Sequence, residues 1–379
     1  MILFTALLIP ILTAFVLYVF FKHKTALWEF LLPLGVSIIL ITIFKLGSEG
    51  YRTSDTEYWS GYVTKTEYFE DWNERVSCSH PKYCTRTVSN GNGGTKSESY
   101  QCGYQHLYDV DYHPEYWSIT DNNGIKKTIN KKTYNRLVKS FGNERFVDLS
   151  RSYHTDDGDK YLSKWGGNDK TLECVVTKHS YENRVQASDD IFNFQEVDTF
   201  DINHYGLYDY PEVKGYQQTN LLGKHSDWEN MNRKLEILNA RLGRKKQLKV
   251  FVLLFDNKLK EAAFKQEAYW KGGNKNEFVI CVGLNEGGNV TWCYPFSWTE
   301  QMITKVNVRT FVEEQKTFNL GATIDYTYKT LDENFVRKPF ADFSYLTVNP
   351  TGWQIFWAFL VTFLVNIGLS IFIIRNDID

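Results

Sequence analysis

The sequence predicts an α+β protein anchored in a membrane. Three transmembrane helices, two N-terminal and one C-terminal, bracket a β-rich soluble region and a small α/β unit. Three observations predict this. Apolar runs of about twenty residues sit at both chain ends. The stretch between them is polar enough to bring mean hydropathy to -0.38. Within that stretch the apolar period changes from two to between three and four. The expected divisions are a helical hairpin over 1–46, a β-rich domain over 51–216, an α/β domain over 217–348 and a C-terminal helix over 352–374.

Residues 2–21 carry no charge, and residues 27–44 carry only Glu29. Residues 353–374 have Asn366 as their most polar member. Each run approaches the ~20 residues that ~30 Å of hydrocarbon requires. The first lacks the basic leader and small-residue cleavage site of a signal peptide. The second follows so closely that the pair reads as a hairpin. Trp28 and Trp353 stand where interface aromatics belong. Lys22, Lys24 and Arg375 put the hairpin loop and the C-terminus on the cytoplasmic side. Lys45, Arg52, Arg337 and Lys338 flank the body on its own side and narrow that bias. The soluble body is expected to be extracytoplasmic.

From residue 51 to about 210 the pattern is β. Residues 61–68 alternate with period two. Turn clusters follow at 90–94, 121–124, 156–159 and 166–169, where Gly and Asn tolerate positive φ. A helix is predicted over 131–141, ended by Gly142.

The second half opens with a capping box at Ser226 and Glu229. Trp228, Met231, Leu235, Leu238 and Leu242 then mark one helix face. Residues 248–255 form an apolar run, as a strand buried on both faces should. A helix over 258–270 ends at Gly272 and Gly273, and a strand over 277–284 returns through a hairpin to 290–294. A second capping box, Ser297 to Glu300, opens a helix to about 315. The first two strands should be parallel, joined by a crossover helix, and the third antiparallel.

Residues 235–311 resemble the TPM domain family. The resemblance lies in the helix ending at Leu242, the strand 250–255, and the helix leading to Ala268-Tyr269-Trp270. It continues through Gly272-Gly273-Asn274 into the strand 278–282, and departs at Tyr294-Pro295, where the family is usually glycine-rich. It implies an extracytoplasmic or lumenal α/β domain tethered by a transmembrane helix. Some members of the family are phosphatases or maintain membrane complexes.

Cys84 and Cys102 are equidistant from Gly93, and Cys281 and Cys293 from Gly287. In simple hairpins each pair would face across the ladder, making both disulfide candidates. The rival is a structural zinc site on Cys78, His80, Cys84 and Cys102. Asp156, Asp157 and Asp159 could take calcium or form a solvated turn. Asp109, Asp111 and His113 share a strand face, as an acid/base cluster or an ordinary polar edge. Lys178 to Arg184 is a dense polar run and a possible binding loop. Asp256 ends the strand 250–255, where open α/β sheets bind ligands, though an Asp there also caps helices. Asn289-Val290-Thr291 is a glycosylation sequon.

A net charge of -2 argues against a nucleic-acid partner. The 16% aromatic content suits β surfaces, membrane interfaces and protein contacts. No nucleophile elbow, phosphate loop, zinc-protease helix or dinucleotide fingerprint occurs. The expectation is therefore a bilayer-tethered binding or assembly module, with a protein partner or a second copy of itself. No catalytic residue or cofactor is assigned, and zinc and calcium are the candidate ions. The alternatives are a metal-assisted phosphatase of the TPM type, centred on Asp256, and an accessory subunit of a membrane complex, in which Asn366 would mediate helix association.

Overall fold

The computed structural model describes residues 2–20, 27–90, 93–149, 158–188 and 194–376. A 3-10 turn, Ile2–Leu7, leads into α1 (Leu8–Phe20), and α2 spans Leu27–Thr53. Among the described residues, Leu27–Thr53 and Gly352–Arg375 are long and apolar enough to cross a membrane. The first apolar run makes only a shorter helix, Leu3–Val19, so two helices of spanning length stand among the described residues where three are expected from sequence. Leu3, Ala6, Ile41 and Ala358 pack together, which joins all three apolar segments. Asn366 donates to Ser37 Oγ at 2.9 Å, so the polar residue deep in the last helix is paired inside the bundle.

α2 passes Phe44, the end of its apolar run, and enters β1 (Ser54–Phe69) with no intervening loop. After β1 come β2 (Trp72–Ser77), β3 (Pro81–Ser89), β4 (Thr95–Tyr104), β5 (Tyr108–His113), β6 (Tyr116–Asp121) and β7 (Lys126–Ile129). α3 (Lys131–Phe141) follows, capped by the Asn130 side chain and ended by Gly142 in the left-handed region, as its sequence predicts. β8 (Arg145–Val147), β9 (Lys160–Lys164) and β10 (Cys174–Glu182) complete this half. β1 is its spine. The first half of β1 pairs with β10, the second with β6 and β9, all antiparallel. Val63, Ile119, Leu137 and Val175 form the core between this sheet and α3.

α4 (Arg184–Ala187) and α5 (Thr199–Tyr205) lead to the α/β half. Its elements are β11 (Leu221–Leu222), α6 (Trp228–Lys246), β12 (Lys249–Asp256), α7 (Glu261–Tyr269), β13 (Glu277–Leu284), β14 (Val290–Phe296), α8 (Met302–Glu313) and α9 (Leu320–Asn334). The last apolar helix, α10, spans Gly352–Asn376. The sheet runs β11-β12-β13-β14, with the first three parallel and β14 antiparallel. Val250, Val252, Leu254, Ile280 and Val282 face α6, α8 and α9. Phe251, Leu253, Phe255 and Val279 face Ala262 and Ala263 of α7, with Leu207 and Trp270. Each fully buried side chain of this size contributes about 1.5–3 kcal/mol. The sheet is therefore dry on both faces, as its unbroken apolar strands require. Val197, Ile202, Tyr205, Tyr208 and Tyr210 pack on the second face, so part of the region expected to be β-rich covers the α/β sheet.

Neither capping box forms. Asp227 precedes α6 and makes no side-chain cap bond. α8 starts only at Met302, with Gln301 at its cap and no side-chain cap bond, and the Ser297 hydroxyl donates instead to Glu277 O at 2.5 Å. The halves meet where α6 crosses β1. A Cβ on Gly243 would fall 1.9 Å from Ser60 O, so only glycine permits that approach. Around it lie an ion pair between Glu57 and Arg337 and a bond from Asn276 Nδ2 to Tyr58 O at 2.9 Å.

Candidate functional site

The connection between β1 and β6 is a long arm. Its pairing keeps one register from Lys65 opposite Thr120, through Trp72 opposite His113 and Ser77 opposite Tyr108, to Lys82 opposite Gly103. Chemically it is one hairpin, broken by an elbow where residues 78–80 pass 105–107. The strand from 72 to 89 covers roughly 60 Å of extended chain. Between residues 70 and 115, Cys78 is the one buried residue among those described. A two-stranded ribbon without a core is marginal in water. This one carries a disulfide, Cys84–Cys102, with Cα atoms 5.6 Å apart. Cys102 sits in the bulge between the Lys82 and Tyr83 pairings, which brings it across to Cys84.

At the elbow four side chains converge. Cys78, His80, His106 and Asp109 place one donor atom each within 4.8 Å of one another. Cys78 Sγ lies 3.8 Å from His106 Nε2, and His80 Nδ1 lies 3.1 Å from Asp109 Oδ1. Cys78, His106 and Asp109 are each held by a neighbouring backbone group. His106 Nδ1 is 2.8 Å from Tyr108 O and 3.2 Å from Asp109 Oδ1. Asp109 Oδ2 accepts from Ser79 N at 2.7 Å and from Ser79 Oγ at 3.1 Å. His80 N points at Cys78 Sγ from 3.4 Å. The Ser79 backbone N–H, its hydroxyl and the neighbouring His80 hold Asp109 below the usual carboxylate range.

This set corrects the zinc quartet expected from sequence. Cys78 and His80 belong to it, but Cys84 and Cys102 are consumed by their disulfide, and His106 and Asp109 take their places. His106 is missed by spacing because it is brought in by hairpin register, not by sequence proximity. Cys281 and Cys293 are not a disulfide. Cys293 pairs with Val282 and Cys281 with Tyr294, one residue off the symmetric register. A one-residue slip sends side chains to opposite faces, and the two thiols lie in different cores. Burial pushes both thiols up, which leaves them unreactive.

The other candidates disperse. Asp156 and Asp157 lie outside the described residues. Asp159 accepts from Leu149 N at 3.0 Å, a structural role at the entry to β9. Asp256 is exposed at the end of β12, and no other His, Cys, Asp or Glu among the described residues gathers with it into a metal-sized group. His113 parts from Asp109 and pairs with Glu74 at 3.0 Å. In the run 178–184, His179 stacks on Trp59, and Arg184 pairs with Glu49 and Glu182. That run braces the body against α2. Asn289 is exposed in its turn. A cleft of about 410 Å³ lined by Tyr58, Tyr210, Tyr269, Trp270 and Asn274 opens at the N-terminal side of β13, the opposite end of the parallel strands from Asp256.

No known protein family, curated protein or solved structure matches this chain.

Proposed function

We propose that this protein is a membrane-tethered, extracytoplasmic module that uses its arm to hold a protein partner. The observation that carries the reading is the arm itself. It buries almost nothing, yet it is stapled, and it presents Tyr83, Tyr104, Tyr108, Val110 and Tyr112 to solvent. Tyr108, Val110 and Tyr112 share one face of β5 by period two, with Arg75 over the Tyr108 ring. Exposed tyrosines with an arginine between them are the composition of binding hot spots. All three apolar segments act as spans or anchors in this reading, and a disulfide suits an oxidising compartment. Two body-side cations that narrowed the charge bias are engaged within the body, Arg337 with Glu57 and Lys338 with Glu300 and Asp342. Lys22, Lys24 and Arg375 favour an outward body, against Lys45, Arg52, Arg337 and Lys338 on the body's own side.

The test is a photo-crosslinking residue at Tyr112, compared with one at Tyr328 on α9, in native membranes. A discrete adduct is expected from Tyr112 and none from Tyr328. Adducts from neither site, in protein that is folded and inserted, would remove the arm as a binding element. Orientation is read from Ser97→Cys, which a membrane-impermeant thiol reagent should label on intact cells. The TPM resemblance stays with the α/β half as a proposal about fold. Its phosphatase alternative is weaker because Asp256 stands alone; phosphoester hydrolysis abolished by chelator and by Asp256→Ala would revive it.

A further inference from the structure

We propose that the elbow of the arm is a structural zinc site formed by Cys78, His80, His106 and Asp109. It is independent of what the arm binds. The donor chemistry selects the metal. One thiolate, two imidazoles and one carboxylate are the ligand types of Zn²⁺, and a sulfur with two nitrogens disfavours calcium and magnesium. With Zn–N and Zn–O bonds of about 2.0–2.2 Å and Zn–S of about 2.3 Å, tetrahedral donors lie roughly 3.3–3.7 Å apart. Two of the separations, 3.1 Å and 3.8 Å, bracket that range, and all four donors lie within 4.8 Å of one another. Four protein donors close the coordination sphere, which is the mark of a structural site.

The surroundings fit as well. Metal-bound imidazoles usually donate their second N–H to a carbonyl or carboxylate, and bound carboxylates are themselves hydrogen-bonded. His106 does the first through Nδ1 to Tyr108 O, leaving Nε2 toward the sulfur. Asp109 does the second through Oδ2 to Ser79, leaving Oδ1 between His80 and His106. On binding, the Cys78 thiol gives its proton to solvent and a sulfur lone pair makes the Zn–S bond. The ribbon has a use for this bond. Without a core, a small unit is held by disulfides or metals. The disulfide fastens the distal ribbon of β3 and β4, and the cluster lies where that ribbon joins the proximal one of β2 and β5. Copper is the nearest competitor, since two His and one Cys also make blue-copper sites. Those sites have a weak, distant fourth ligand, whereas Asp109 supplies a strong one within the cluster.

The full chain in detergent, purified anaerobically and stripped by chelator, is titrated with Co²⁺ and then Zn²⁺. One equivalent of cobalt is expected, with the visible bands of a tetrahedral thiolate complex, displaced by zinc. Cys78→Ala and His106→Ala should lose it. Cys174→Ala and Asp111→Asn should retain it. Ser79→Ala, which keeps the backbone N–H, should weaken zinc by about tenfold. Cleavage by added protease within 78–107 follows the open population of the elbow, so it should slow by about 100-fold when free zinc is ~100 times its Kd. Thermal unfolding of the α/β half confirms that each variant is folded. No uptake while Cys78 is a free thiol, uptake indifferent to Cys78→Ala, or zinc that leaves cleavage unchanged would each overturn the proposal. So would preferential copper uptake with a Cys78-dependent blue absorption.

Discussion

Every residue of β13, Glu277 to Leu284, is buried, while in the arm between residues 70 and 115 only Cys78 is, among those described. Both regions are antiparallel or parallel ladder, made by one chain, with the arm in its first third and β13 in its last. The α/β strands are held by apolar side chains on two faces, so their order is a property of the whole unit. The arm has no such collective term, and its order rests on a few bonds that can be removed one at a time. The lesson is that damage should spread in the first region and stay local in the second.

The largest break is in the core. Phe278→Ala should cost about 3–5 kcal/mol and lower the thermal midpoint of the whole body, leaving arm cleavage kinetics the same until that midpoint nears. Cys84→Ser with Cys102→Ser removes a bridge of sequence separation 18, worth about 3 kcal/mol in an entropy account. Here the expected result is faster cleavage within 81–104 and an unmoved main transition. If the main transition drops, the arm belongs to the body's cooperative unit and the comparison fails. Gly243→Ala tests the seam between the halves. With Ser60 O in the way, overpacking of about 1–3 kcal/mol is expected, and calorimetry should show the β-rich and α/β halves loosening from each other.

Lys249 gives a pH test confined to the core. It is fully buried, and burial lowers its pKa from 10.5 to about 7, against the opposing pull of Glu277, Glu236 and Cys174. Between those values the unfolded chain holds the proton that the folded chain has lost. Stability should therefore rise with pH from about 7 upward, and the penalty is complete below it. Lys249→Met should flatten denaturant midpoints measured between about pH 7 and about pH 9, below the tyrosine range. Burial raises Glu277 beside it, so that carboxyl contributes in the opposite sense, at lower pH. The smallest effect is Arg86→Ala on the exposed pair with Glu98, expected below about 1 kcal/mol and lost in salt.

The contrast also explains what the sequence revealed. α3, β12 and β13 were legible because local periodicity and caps set them. α9 was not. Its buried face is Leu320, Thr323, Ile324, Thr327, Thr330 and Leu331, and threonines at core positions blur an apolar stripe, although Asn319 is a sound N-cap. Cys84 with Cys102 was legible, while Cys281 with Cys293 failed by one residue of register. Half of the elbow cluster was read from Cys78 and His80. The other half needed the long-range pairing of Ser77 with Tyr108, which spacing does not encode.

The passage from α2 into β1 has a mechanical consequence. Helix continues nine residues beyond Phe44, a stand-off of about 14 Å at ~1.5 Å per residue, and becomes strand with no hinge. Arg184 grips Glu49 from the body, Asn183 N donates to Thr53 O at 2.6 Å, and Ser48 bonds Gln354 of α10 at 2.7 Å. In the membrane-spanning reading, a tilt of α2 in a thinner or thicker bilayer swings the body as a rigid lever. The arm is the far end of that lever, so its tip would sweep the widest arc, and lipid thickness would set where a partner can be met.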